Sequence, residues 1–334
     1  KFNKLNFLFK KKKSTTFTSY NRTFLFVFST IVIILSYLSI PYFYNANKLT
    51  DKIEAELSKN LNINFNLSQD FSYNFFPRPH FTFQEVTFLN KSKNSGKIKV
   101  DIPISKLLFI KNIQIKDIVL SKVNFDINKE NYDFFTELLK NDFSNFKFEI
   151  KKSNIFYRNI RNDILFINQI NYLKYYYDKQ KLSNYLIADN EIFNLPYNLK
   201  FNNDFVNKKN KSIININSFN FQIENNFDYK NSKKEGIINF IYNKKKSKAE
   251  YNYSKDFFEF NFLDRSLDPN FKYKGTISFK PFFSGSLGFF KEINSKEFLN
   301  SNSILLQLLK TEILNNKNLN MNTNLNDKQT NTFE

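Results

Sequence analysis

Leu61-Asn62-Ile63-Asn64-Phe65-Asn66-Leu67-Ser68 alternates apolar and small polar residues without a break. Successive side chains of an extended strand point to opposite faces, so this octapeptide reads as a strand with one dry face and one wet face. Just upstream, residues 47–57 carry Leu49, Ile53 and Leu57 four apart, with Lys48, Asp51, Lys52 and Glu54 between them. That spacing predicts a short amphipathic helix. Downstream the period of two returns at Phe81, Phe83, Val86 and Phe88, where a β-bulge at Gln84-Glu85 is expected to hold all four on one face. After a turn-like stretch at 90–96 come Ile98, Val100, Ile102 and Ile104, then Ile113 with Ile115, Ile118 with Leu120, and Val123, Phe125 and Ile127. Phe146, Phe148 and Ile150 repeat the pattern, as do Ile214 and Ile216, Phe219, Phe221 and Ile223, Phe258, Phe260 and Phe262, and the run from Phe271 through Tyr273, Gly275 and Ile277 to Phe279.

Before this text lies an uncharged apolar run that begins at Thr23 and ends at Tyr44, preceded by Lys10, Lys11, Lys12, Lys13 and Arg22. As a helix it extends roughly 33 Å, enough to cross a hydrocarbon core of about 30 Å. No acidic residue precedes Asp51. The excess of cations on the N-terminal side predicts a cytoplasmic tail and an exported body. Tyr37, Tyr42 and Tyr44 suit the aromatic belt of the outer boundary. The run ends in the bulky Ile40, Pro41, Tyr42, Phe43 and Tyr44, and Asn45-Ala46 after it is a weak signal-peptidase site, so a retained anchor is expected over a cleaved signal. The resulting organisation is a basic tail at 1–22, an anchor at 23–44, a β-rich body at 45–314 and an Asn-rich linker or truncated loop at 315–334. Short helices are expected at 131–140 and 303–314, the latter with Ser303 as N-cap. The chain starts at Lys1 and its single Met is Met321, which predicts a longer open reading frame.

The formal charge of +19 would suit a nucleic-acid partner, but its distribution does not. Lys, Asn, Ile, Phe and Tyr are abundant while Gly numbers 5 and Trp and Cys are absent, a skew that makes Lys the default surface residue. Part of the charge sits in the tail, where it favours anionic headgroups. Lys244, Lys245 and Lys246 fall between two expected strands, in a solvated turn, and no nucleic-acid-binding signature accompanies them. Without cysteine there is no disulfide framework and no thiolate metal site. The sole histidine, His80, lacks a second His or Cys to share a metal. Ser286 lacks a nucleophile-elbow context, and no glycine-rich phosphate loop occurs. The expectation is a protein that is not an enzyme and has no cofactor.

The block from Asp70 to Phe88, DFSYNFFPRPHFTFQEVTF, resembles the N-terminal signature of the AsmA family: a strand, a Pro-x-Pro turn at Pro77-Arg78-Pro79, then an alternating strand leading to an acidic-Val pair at Glu85-Val86. The order of anchor, short helix and alternating strand before it agrees. Residues 118–126 followed by 132–139 look like that family's next segment, and the resemblance covers roughly residues 10–314. The chain departs from the family in having little glycine, as at Leu61 and Asn64. The resemblance implies a bacterial inner-membrane protein with a periplasmic β-rich body, related to bridge-like proteins whose curled sheet conducts phospholipid toward the outer membrane, and linked to outer-membrane assembly. Possible partners are therefore the bilayer, phospholipid and envelope-assembly proteins.

The fold expected is mainly β: a transmembrane helix followed by a long curled antiparallel sheet with a few short helices. Period two alone fits both a closed sandwich and an open trough, and the resemblance favours the trough. Its lining would be apolar, continuous and free of buried charge. The candidates for that lining are Leu61, Ile63, Phe65, Leu67, Phe81, Phe83, Val86, Phe88, Ile98, Val100 and Ile102. The alternative is a non-catalytic periplasmic scaffold that binds another envelope protein.

Overall fold

The structure is a computed structural model that describes residues 2–61, 64–88, 96–128, 147–158, 162–229, 234–254, 257–263, 272–278, 284–289 and 331–333. Helix α1 (Phe2–Ser39) runs on into a 3-10 turn at Ile40–Phe43. Within it, Asn21–Phe43 is long and apolar enough to cross a membrane, and the side chains from Phe24 to Leu35 stand exposed along it. The expected basic tail is the first half of the same helix. Asn45 caps the next helix, its Oδ1 accepting the Lys48 amide at 3.1 Å. That helix, α2 (Ala46–Leu61), buries Leu49, Ile53, Leu57 and Leu61 at four-residue spacing, so one stripe of it faces the body.

Two short strands, β1 (Phe65–Leu67) and β4 (Val86–Phe88), pair antiparallel in a small sheet of their own. Glu54 of α2 accepts the Leu67 amide at 2.6 Å, which ties this ribbon to the helix. The large sheet takes every other strand. It runs β2 (Phe71–Asn74), β3 (His80–Phe83), β5 (Lys97–Asp101), β6 (Asp117–Ser121) and β7 (Asn124–Ile127), β8 (Lys147–Arg158), β9 (Ile164–Asp178), β10 (Ser183–Ile192), β11 (Leu195–Asp204), β12 (Lys209–Ile216), β13 (Phe221–Asp228), β14 (Lys234–Tyr242), β15 (Lys245–Tyr253), β16 (Phe257–Leu263), β17 (Lys272–Ser278), β18 (Ser284–Phe289) and β19 (Asn331–Phe333). Adjacent strands are antiparallel except at β8, where β6 and then β7 pair parallel along the same edge. Lys122, at φ 58°, breaks β6 from β7, and its amide bonds to Lys151 carbonyl at 3.0 Å. Among the described residues no ladder joins β19 back to β2, so the sheet is open.

Several sequence expectations change here. Leu61 ends α2 and does not begin a strand; among the described residues of the octapeptide, Phe65–Leu67 alone forms a strand. No bulge joins 81–83 to 86–88: after Phe83 the chain leaves the large sheet and pairs with β1. Ile113 and Ile115 are buried in irregular backbone, with no strand between β5 and β6, and Ile104 is exposed in a 3-10 turn. The sheet is antiparallel as expected apart from the parallel pairing of β6 and β7 with β8. Asn331–Phe333, inside the expected linker, pairs with β18. The helices expected at 131–140 and 303–314 and the turn at 90–95 lie outside the described residues. The Pro-x-Pro block matches its reading, with β2 before the turn and β3 after it. The turn between β14 and β15 is Asn243-Lys244, so of the three lysines expected there Lys244 alone lies in it, while Lys245 and Lys246 begin β15.

Candidate functional site

Tracing partners across the ladders assigns each side chain to a face. One register row reads Phe71, Phe83, Ile98, Leu120, Ile150, Leu173, Ala188, Leu199, Ile214, Ile223 and Phe240, from β2 to β14. All eleven are apolar, and at the ordinary strand spacing they extend about 48 Å. Beside it runs a second row on the same face: Tyr73, Phe81, Val100, Ile118, Phe148, Tyr175, Leu186 and Phe201. The opposite face carries Lys99, Glu149, Lys174, Lys200, Glu224 and Lys248 in matching positions. Two irregularities keep the parity in step. Lys152, at φ 49°, and Asn171 are passed over in the β8–β9 ladder, so Ser153 and Ile170 return to the dry face.

Among the described residues the row is covered at one end only. α2 and the β1–β4 ribbon lie over β2, β3, β5 and β6, giving a core of Leu49, Ile53, Leu57, Phe65, Leu67, Phe81, Phe83, Val86, Ile98 and Val100. Phe81, Phe83, Ile98 and Val100 are fully buried. From β9 onward the dry face changes character. Leu173 still packs against that core, whereas Leu186, Leu199, Ile214, Ile223 and Phe240 are half-buried by their neighbours in the sheet, with no second layer over these five among the described residues.

Amide and phenol groups border this open stretch. On one side Asn190 Nδ2 donates to Tyr197 Oη at 3.1 Å, and Tyr197 donates to Asn168 Oδ1 at 3.1 Å. On the other side Asn184, Asn203 and Asn210 share a row, with Tyr229 donating to Asn203 Oδ1 at 3.0 Å. Asn190 Oδ1 and Asn210 Oδ1 are buried without a hydrogen-bond partner. Further along, Tyr251 lies over Gly236, where a Cβ would collide with its ring, and donates to Asn225 Oδ1 at 2.8 Å. Burial raises the Tyr251 phenol above its ordinary value, so it stays a neutral donor.

The wet face has its own charged patch. Glu149 bonds to Lys147 and, at 2.9 Å, to Lys151. Burial alone would raise its pKa; the two lysines outweigh it and hold the carboxyl below its usual range. Lys147 shows the mirror image: burial pulls it down, and the bond to Glu149 carries it above its ordinary value. His80 is spent on structure, with Nδ1–H donating to Arg78 carbonyl at 2.7 Å.

Ten of the eleven sequence-derived lining candidates thus fall on the covered end. Phe81, Phe83, Ile98 and Val100 stand on the dry face of the large sheet under the lid. Leu61, Phe65, Leu67 and Val86 belong to the lid, and Ile102 is buried just past β5. Phe88 pairs with Phe65 in the ribbon, and Ile63 lies outside the described residues. The uncovered lining was only partly visible beforehand, through Ile214 and Ile223. Leu173, Leu186, Leu199, Phe201 and Phe240 were missed; only ladder parity singles them out.

A model of the AsmA family matches residues 19–254, from inside the apolar helix to one residue past β15. The chain belongs to the AsmA family. No curated protein matches it. Membership suggests an envelope-associated membrane protein, and the apolar helix fits the single-pass anchor of such an AsmA family member.

Proposed function

We propose that this AsmA family protein shields phospholipid acyl chains on the open stretch of its sheet and so conveys lipid between the inner and outer bacterial membranes. The reading is carried by one observation, the unbroken apolar row from Phe71 to Phe240. A phospholipid crosses water slowly because each exposed methylene costs about 0.8 kcal/mol. The long apolar row, doubled by its neighbour as far as β11, makes a strip that accepts an acyl chain along its length and holds it nowhere in particular. The bordering asparagines and tyrosines suit the wet glycerol and headgroup side. Lys10 to Lys13 and Arg22 on one side of the apolar helix support an N-terminus in the cytoplasm and a body in the periplasm. The protein needs no catalytic group for this work, and supports envelope assembly by moving material.

A photo-crosslinking amino acid placed in turn at Leu199 and Lys200 tests the reading in whole membranes. These neighbours on β11 point to opposite faces, and the expected result is phospholipid captured at Leu199 and none at Lys200. Capture at neither, with an envelope protein trapped at both, replaces the reading with a non-catalytic scaffold.

A further inference from the structure

The body grips the apolar helix below its end. Tyr37 donates to the carbonyl of Ile104 at 2.8 Å, and Tyr73 of β2 donates to the carbonyl of Leu38 at 2.9 Å. Tyr42 donates to Tyr73 carbonyl, their rings meet edge to face at 5.0 Å, and Tyr44 donates to Leu107 carbonyl. Tyr37 lies six residues before Phe43, the last residue of the apolar span, which is about 9 Å along the helix. Helical side chains lean back toward the N-terminus, so the Tyr37 hydroxyl is not carried outward to meet the loop. The loop after Ile102 must come down beside the span.

That loop buries Leu107 in the core and turns three other apolar residues to the outside. Ile104 is 56 % exposed, Leu108 45 % and Phe109 58 %, with Lys106 and Lys111 among them. Phe76, three residues past Tyr73 in the β2–β3 turn, is 81 % exposed, and Phe43 at the end of the span is 88 % exposed. Large apolar side chains clustered this way, beside a membrane-crossing helix and interleaved with lysines, match the make-up of segments that lie in the headgroup and acyl boundary.

We infer that the 104–111 loop and the 75–77 turn form a foot that sinks into the membrane leaflet around the C-terminal end of α1, with Ile104, Leu108, Phe109 and Phe76 among the acyl chains and Lys106 and Lys111 at the headgroups. The inference rests on α1 being the membrane anchor, and it deepens the lipid-handling reading. The foot holds the covered end of the apolar row against the bilayer, since Tyr73 and Phe71 belong to the strand it hangs from.

The chain has no tryptophan, so a single introduced indole reports its own depth. Four full-length variants, Phe26→Trp, Phe76→Trp, Phe109→Trp and Ile164→Trp, are reconstituted in phosphatidylethanolamine–phosphatidylglycerol vesicles carrying lipids brominated at shallow or deep positions. Ile164 is 41 % exposed and lies eleven residues along β9 from Tyr175, which shares the row of Tyr73; that is about 37 Å of strand. The expected result is quenching at position 26, five residues inside the span, shallow quenching with a blue shift at 76 and 109, and unchanged emission at 164. Quenching at 26 with none at 76 and 109 overturns the foot and leaves the anchor standing. No quenching at 26 overturns the anchor and the foot with it. Quenching at 164 as strong as at 109 means the whole body lies on the membrane, and overturns a discrete foot.

Discussion

Ile213 and Ile214 are neighbours on β12 that face opposite ways, and an aspartate at each would put the same charge on either side of the same strand. Ile214 sits in the apolar row between Leu199 and Ile223, whereas Ile213 pairs with Lys200 and Glu224 on the wet face. A side chain in the floor of the strip contacts about four methylenes of an overlying acyl chain. The open face removes only about half of each methylene from water, so the contact is worth about 0.4 kcal/mol per methylene, or about 1.6 kcal/mol in all. Ile214→Asp should therefore lower lipid occupancy at that point at least tenfold, a figure that rises with the cost of crowding the carboxylate against hydrocarbon. Ile213→Asp should leave occupancy near that of the parent protein. The assay is the yield of phospholipid crosslinked at Leu199, normalised to folded protein, with thermal melting of both variants recorded alongside. Equal loss in the two variants, or no loss in either, would refute the assignment of the strip to lipid.

Three further outcomes follow from the packing. Phe83→Ala empties a site closed by α2 and the β1–β4 ribbon and should cost about 3–5 kcal/mol in urea unfolding, while Leu199→Ala on the uncovered stretch should cost about 1 kcal/mol; equal costs would mean the strip is roofed over. Gly236→Ala pushes a methyl into the Tyr251 ring and breaks its bond to Asn225, a loss of about 1–3 kcal/mol, and Tyr251→Gly in the same chain should recover part of it. Glu149→Gln should be less stable than the parent at neutral pH, with the gap closing in acid. Its folded pKa lies below the unfolded value, so its contribution is present above the ordinary carboxylate range and lost as the pH falls through the folded value; a gap that widens in acid contradicts the ion-pair account. The raised Lys147 works at the other limb, holding its share until the pH rises past its folded value.

Most strands were legible in the sequence because period two is a local signal, and residues such as Ile98, Val100, Ile214 and Ile223 show it plainly. What covers a strand is a different kind of information. Phe65 meets Phe88 across a gap of over twenty residues, and nothing local tells that this ribbon, with α2, lids the first strands and leaves the later ones bare. Candidates chosen for the clearest alternation were thus the buried ones. The uncovered row hides in β9 and β10, where tyrosine stands on both faces and Ile187 occupies the wet side. Ile113 and Ile115 mislead in the opposite sense: a buried loop needs apolar residues too, and two of them one residue apart mimic a strand. Leu61 shows how a helix with a strong four-residue stripe takes its last residue from a text that also fits extended chain.

The division of the sheet between a lidded start and a bare continuation separates two jobs that one core would otherwise have to share. Folding is anchored where α2 and the ribbon close over β2, β3, β5 and β6, and that part has no need to know how far the sheet goes on. Each further antiparallel strand offers the same edge to the next and carries the strip forward by about 5 Å. Reach can therefore be adjusted by adding or removing hairpins at the far side, in fixed increments, with no change to the apparatus that attaches the molecule to its membrane.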